Sequence, residues 1–246
     1  MSSAPILPPV LTGHPAPPDV DPLRVALEGA ASGRLGAGDL VWSRSTDVAA
    51  AAIVLEPDVP WRDVLEIVPV MLLAVGDALG SIGPPDLPLM VRWPETLTAN
   101  GGAVGRVTID ATAPTGLDDI PDHAVVGFSV TLELPEHLRD APGHEVGVTA
   151  LHEEGCGDVV SDALIGATAR HFLSWLDEWR HGGFARLKPA LAGRLLDVGG
   201  PQARVDLGGA MCEGRILGFD DRGGARIETA GGIREISLAR ALGVDA

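Results

Sequence analysis

Residues 89–110 read LMVRWPETLTANGGAVGRVTID, and how this stretch pairs with itself decides the fold. Leu89, Met90 and Val91 run as an apolar strand into Arg92-Trp93-Pro94. Proline has no N–H to give to a sheet ladder, so this strand should end near Trp93. Asn100-Gly101-Gly102 then marks a tight reversal, because Asn-Gly supplies the positive φ angles that a two-residue hairpin turn requires. Val104 to Ile109 alternates apolar with small or polar residues, as a strand with one buried face does. The expectation is one hairpin, with a strand on each side of Asn100-Gly101.

Upstream, Arg62 to Leu79 places Val64, Val68, Met71, Val75 and Leu79 on one helical face. Pro69 should kink that helix or open its longer half. Leu40–Trp42 and Ala50–Leu55 read as strands joined across a polar turn at Ser43 to Asp47. Asp21-Pro22 is a helix start, an N-cap followed by proline at the first helical position, with Leu23, Ala26 and Leu27 turned inward. After that helix comes SGRLGAG (32–38), a small-residue loop whose one charge is Arg34. Residues 1–22 contain seven of the 20 prolines and should form an extended or loosely packed arm.

Downstream, Val125–Leu134 reads as a strand, Leu138–Gly147 as a surface loop, and Cys156–Trp179 as a second long helix closed by Gly182-Gly183. Gly193 to Leu242 holds β-like runs at Leu195–Val198, Ala203–Leu207, Met211–Phe219, Ala225–Thr229 and Ile233–Ser237, separated by Gly-Gly turns. Such spacing predicts a small closed antiparallel barrel of about five strands. The chain therefore reads as α+β: an arm (1–22), a mixed sheet backed by helices (23–189) and a small C-terminal β-barrel (190–246).

With 46% hydrophobic residues and a mean hydropathy of +0.21, a folded globular protein is expected. A net charge of −16 argues against non-specific nucleic-acid binding and against a polybasic membrane-surface role, so neither partner is expected. The longest apolar run, Val64 to Leu79, carries Glu66, Pro69 and Asp77, which argues against a membrane span. Cys156 and Cys212 lie far apart and no secretory pattern opens the sequence, which points to a reducing cytoplasm. Of 18 basic residues only Lys188 is lysine, so any chemistry that needs a lysine has one candidate.

The order of these elements resembles the biotin protein ligase/lipoate protein ligase superfamily, over roughly Ser32 to Leu242. Arg92-Trp93-Pro94, followed after a short hairpin by Gly105, is similar to the ligases' Lys-Trp-Pro-Asn-Asp segment and its next strand. Ser32-Gly33-Arg34, with Trp42 eight residues beyond Arg34, resembles their arginine-rich ligand loop and following tryptophan. Gly127-Phe128-Ser129-Val130 falls where they keep a glycine-rich strand, and Gly214 to Gly218 with Glu235-Ile236-Ser237-Leu238 matches their SH3-like C-terminal barrel. The resemblance implies a pocket formed by Gly33, Arg34, Trp42, Arg92, Trp93, Gly105 and Arg106 for a small carboxylate or acyl ligand. By resemblance alone, biotin or lipoate and ATP are the implied ligands, and a homodimer is the implied assembly. The regulatory members' DNA-binding helix-turn-helix has no counterpart in the short, proline-rich residues 1–22.

The family activates a carboxylic acid with ATP, which calls for cations around the phosphates. Here the ligand loop carries one arginine, the Asn-Asp after Trp-Pro is Glu95-Thr96, and by the resemblance the ligases' strand lysine falls on or beside Ala103, with Arg106 nearby. Each preorganised charge lost costs roughly 2.7–4 kcal/mol of transition-state stabilisation. Standard ligase activity is therefore expected to be lost or altered. Arg92 could face an anionic ligand or pair with an acid such as Glu95.

Two alternatives stand beside this reading. Octanoyltransferases of the same superfamily carry their acyl group on a cysteine after the glycine-rich strand, and Gly155-Cys156-Gly157 sits at a comparable distance. A helix start beside Cys156 would favour its thiolate, whereas Glu153, Glu154 and Asp158 oppose it. The other alternative is a non-catalytic interaction module built on the C-terminal barrel. His144, His152, Glu153 and Cys156 have partial metal-ligand spacing without a second close pair, so no metal is expected.

Overall fold

In a computed structural model, residues 3–85, 87, 89–113, 115–135, 147–196 and 200–244 are described. The chain begins with β1 (Thr12–Pro15), α1 (Pro22–Ala31), β2 (Asp39–Trp42), β3 (Val48–Leu55), α2 (Trp61–Val64) and α3 (Ile67–Ile82). β4 (Leu89–Arg92), β5 (Thr96–Ala99), β6 (Gly102–Ala111) and β7 (Ala124–Thr131) complete a seven-stranded mixed sheet of order β1-β2-β3-β7-β6-β5-β4. α4 (Ser161–Gly182) and α5 (Phe184–Ala192) follow. β8 (Ala203–Asp206), β9 (Met211–Phe219), β10 (Ala225–Thr229) and β11 (Gly232–Ile236) form a four-stranded antiparallel sheet, and α6 (Leu238–Ala241) follows them. The expected α+β class is the observed one.

Within residues 89–110 the chain reverses twice, not once. Asn100 (φ 48°) and Gly101 (φ 84°) make the expected tight turn, but it joins β5 to β6. β4 lies outside β5, pairing Leu89 with Ala99 and Arg92 with Thr96, and the Trp93–Pro94 peptide between them is cis. β5 escaped the sequence reading because only four residues separate Glu95 from the Asn-Gly turn.

α3 and α4 cover one face of the sheet. α3 is buried on nearly every side because it lies between the sheet and α4, which explains its near-continuous apolar sequence. The break from α2 falls at Leu65-Glu66, and Pro69 is the third residue of α3, where no N–H is needed within the helix. By length and composition Trp61–Ile82 could cross a membrane, yet 72% of its apolar window is buried inside this fold. α1 packs on the opposite face. There Ala26 and Ala30 meet Val41, Ala52, Val54 and Val125, with Leu23 and Leu27 partly buried beside them.

Expectations on the arm, the second long helix and the C-terminal strands are refined. Of the two forms expected for the arm, the extended one is found: β1 joins the sheet in parallel with β2, and Gly13 lets it lie against the Trp42 ring. Proline is tolerated because β1 is an edge strand. The second long helix starts at Ser161, not Cys156, since residues 151–158 form turns. After Gly183 a further helix, α5, carries Pro189 inside it. Among the described residues the C-terminal strands are four, with Leu195 giving only a single bridge to Val91; Val198 lies outside those residues, as does most of the loop expected at Leu138–Gly147.

The C-terminal segment seals the edge of β4. Val91 N donates to Arg194 O (2.6 Å), Leu196 N to Val91 O (2.9 Å) and Trp93 N to Gln202 O (2.8 Å). Farther away, Arg222 pairs with Asp63 at 2.7 Å. On the small sheet, Arg204–Glu213, Arg215–Glu228 and Arg226–Glu235 are ion pairs between residues directly opposite in register. That face is therefore close to charge-neutral.

Candidate ligand site

Residues paired directly across neighbouring strands project from the same face of a sheet. The observed registers line up Arg92, Thr96, Arg106, Ser129 and Ala50 across β4, β5, β6, β7 and β3. The next row on this face holds Thr108, Gly127 and Ala52. α1 covers β2, β3 and part of β7, leaving Arg106 and Ser129 exposed and Thr108 half-buried. This open strip is the candidate site.

The strip is bounded by the N-terminus of α1. Asp21 caps it by accepting from Leu23 N at 3.0 Å. Gly127 permits the approach, since a Cβ there would sit 3.1 Å from Leu23 Cδ1 and 3.5 Å from Thr108 Oγ1. The positive end of the helix dipole therefore lies beside small and hydroxyl-bearing residues.

Arg106, 62% exposed at its side chain, donates to Glu95 at 2.6 Å. The Glu95 side chain is only 20% exposed. Burial pushes its carboxyl above the usual range, and Arg106 pulls it back. Arg92 is 9% exposed and gives one hydrogen bond, to Gly101 O at 3.0 Å. Its Nε is buried without a partner, and no carboxylate pairs with it among the described residues. Burial, then the neighbouring Arg204, lowers its pKa. The acid expected as a partner for Arg92 is thus taken by Arg106.

The other candidate residues lie elsewhere. Gly33 (φ +68°) closes α1, with its N–H to Ala30 O (2.9 Å), while Arg34 N and Leu35 N both donate to Gly29 O. Leu35 packs so closely on Gly29 that a Cβ there would lie 2.4 Å from Leu35 Cδ1. The loop expected to hold a ligand forms the helix C-cap, and exposed Arg34 donates to Ser32 Oγ at 2.9 Å. With α1 spanning roughly 15 Å, Arg34 sits at the far end from Gly127. Trp42 and Trp93 are buried in the core with α3 and α4. Gly105 shares their side of the sheet, paired with Leu97 and Val130, and a Cβ there would meet Ser129 O at 2.7 Å. Only Arg92 and Arg106 of the seven fall in one row. Thr96, Thr108 and Ser129 were not legible as site residues, because their alignment exists only through register.

Ala103 offers a methyl group, and its backbone is bonded to Gly147 O (2.7 Å) and Thr149 N (2.9 Å). Lys188 belongs to α5, 4.0 Å from Asp221. Cys156 is buried in the core, and burial, then Glu154, pushes its thiol up. His152 contacts Glu133 and Val159 O; His144 lies outside the described residues. Two clefts, of about 500 and 750 Å³, lie on the helix-covered side of the sheet, lined by residues such as Leu55, Phe172 and Leu176, and Asp63, Glu66 and Trp179. Neither includes a residue of the open strip.

The chain matches the model of the Biotin/lipoate A/B protein ligase family over residues 7–192, which extends the resemblance into the arm and stops before β8. It is 27% identical over 200 residues, 80% of this chain and 81% of the relative, to the biotin–(acetyl-CoA-carboxylase) ligase of Paracoccus denitrificans. A biotin protein ligase-like protein of unknown function from a Silicibacter species superposes with a TM-score of 0.81 at 30% identity, over 97% of this chain and 99% of the other. The biotin protein ligase of Aquifex aeolicus, in complex with biotin and ATP, shares the fold at a TM-score of 0.64 and 20% identity, over 86% and 91% of the two chains. With a matching family model over most of its length and a relative alike along nearly all of it, this chain belongs to the biotin/lipoate A/B protein ligase family.

Proposed function

We propose that this family member binds a small carboxylate, acyl or acyl-adenylate ligand on the strip between Arg106, Ser129, Thr108 and the start of α1. We propose further that ATP-driven ligation is lost or strongly reduced. The observation that carries this reading is the Arg106–Glu95 pair, because among the described residues the one guanidinium exposed on the strip already holds a carboxylate at 2.6 Å. Binding a nucleoside triphosphate needs several cations, and the residues here do not fit that group: Arg34 is turned to Ser32, Ala103 has no charge and Lys188 faces Asp221. A ligand of low charge needs no such cluster. It can use the hydroxyls of Thr96, Thr108 and Ser129 and the dipole of α1. Cys156 gives the acyl-carrier alternative no support, since a buried thiol with a raised pKa is a poor nucleophile.

Titration calorimetry with biotin, lipoate, octanoate and their adenylates tests binding, and pyrophosphate exchange tests activation. Expected are saturable binding of at least one acyl ligand and exchange far below that of a ligase. Failure of every ligand to bind, or exchange at an ordinary enzymatic rate, overturns the proposal.

A further inference from the structure

Glu95 is unusual for an acid beside a ligand-binding strip. It follows Pro94, its backbone oxygen accepts from Val107 N at 2.9 Å, and its carboxylate is mostly buried while reaching Arg106. The backbone bond fixes where the carboxylate starts, so the pair does not depend on a mobile loop. Arg106 keeps most of its side chain in solvent, within the row that holds Thr96 and Ser129. An incoming anion must therefore either displace Glu95 from Arg106 or sit beside a buried like charge, and both cost free energy.

We infer that Glu95 is a specificity-determining residue: it occupies Arg106 from within the chain, so that the strip rejects polyanions and favours acyl ligands neutral or singly charged at that end. This rests on the strip being the ligand site, but its central claim concerns Arg106 and is testable without an acyl ligand. The plainer view, that the pair merely ties β5 to β6, predicts that removing Glu95 costs stability and changes no affinity. The inference predicts a gain of function toward anions.

The test titrates inorganic pyrophosphate into the full-length wild type, Glu95→Gln, Glu95→Ala and Glu95→Gln/Arg106→Gln, with thermal melts to confirm folding. Wild type should bind pyrophosphate weakly. Either single variant that folds should bind it at least about tenfold more tightly, the scale expected when one adjacent like charge is removed, and the double variant should lose that gain. No gain in a folded single variant, or a gain that survives Arg106→Gln, overturns the inference. Parallel titrations of wild type with octanoate and octanamide separate the two proposals. Absence of acyl binding there counts against the strip as an acyl site, whereas the pyrophosphate result decides the role of Glu95 either way.

Discussion

Replacing Glu66 with Gln should make the protein more stable above neutral pH and leave it unchanged in mild acid. Glu66 is 4% exposed, between α2 and α3, and accepts from Trp179 Nε1 at 2.7 Å. Burial is the main cause that raises its pKa from 4.5 to about 7, with Asp63 adding to the rise and the Trp179 bond opposing it. Because the folded pKa exceeds the unfolded one, the native state holds a proton between pH 4.5 and 7 that the unfolded chain has released. The sign follows: this group's stabilisation is full below about pH 4.5 and is lost as pH rises through about 7. At about 1.36 kcal/mol per pH unit, the loss is on the order of 3 kcal/mol by pH 8. For a chain of this length that corresponds to a melting temperature roughly 6–12 °C higher in the variant at pH 8. At pH 4.5 the two proteins should melt within about 2 °C of each other. Calorimetric melts of both proteins from pH 4.5 to 8 measure the difference, and other titrating groups cancel in it. Parallel curves, or a variant less stable at pH 8, would refute the burial argument.

Arg92→Met should leave stability to urea within about 1 kcal/mol of wild type, since it removes a buried charge that has no ion-pair partner among the described residues and loses only one neutral acceptor. A loss above about 3 kcal/mol would mean that Arg92 has a compensating partner. Cys156 and Cys212, both buried, should resist a colorimetric thiol reagent in the native protein and react at once in urea. Fast native labelling mapped to Cys156 would restore the nucleophile reading.

What was legible in the sequence was local. Asp21-Pro22 starts α1 because an N-cap and a proline at the first helical position act on their own turn. Asn100-Gly101 turns the chain because positive φ is a property of those two residues. The failures arose where a distant partner overrode a local rule. Seven prolines left the arm extended or loosely packed, and only pairing with β2 and packing on Trp42 made part of it a strand. Cys156 suggested the start of the second long helix, yet its N–H is bonded back to Leu151 O at 3.0 Å and α4 begins at Ser161.

The site shows the same division more sharply. Arg92, Arg106 and Gly127-Phe128-Ser129 stood out in the sequence as fragments of a family pattern, but the pattern did not say which of them share a face. Register divides them: Arg106 and Ser129 look toward the open strip, while Gly105, one residue earlier in β6, faces α3 and α4 beside Trp93. A one-residue difference in a strand therefore separates an exposed position on the strip from a packing position, and glycine at 105 is explained by Ser129 O at 2.7 Å from any Cβ without invoking a ligand. Charge follows the same logic. Counting arginines near Trp93-Pro94 suggests a residual anion site, whereas pairing Arg106 with Glu95 removes most of it. In this fold the geometry of the sheet, more than the inventory of cations, decides how much unpaired charge the strip exposes.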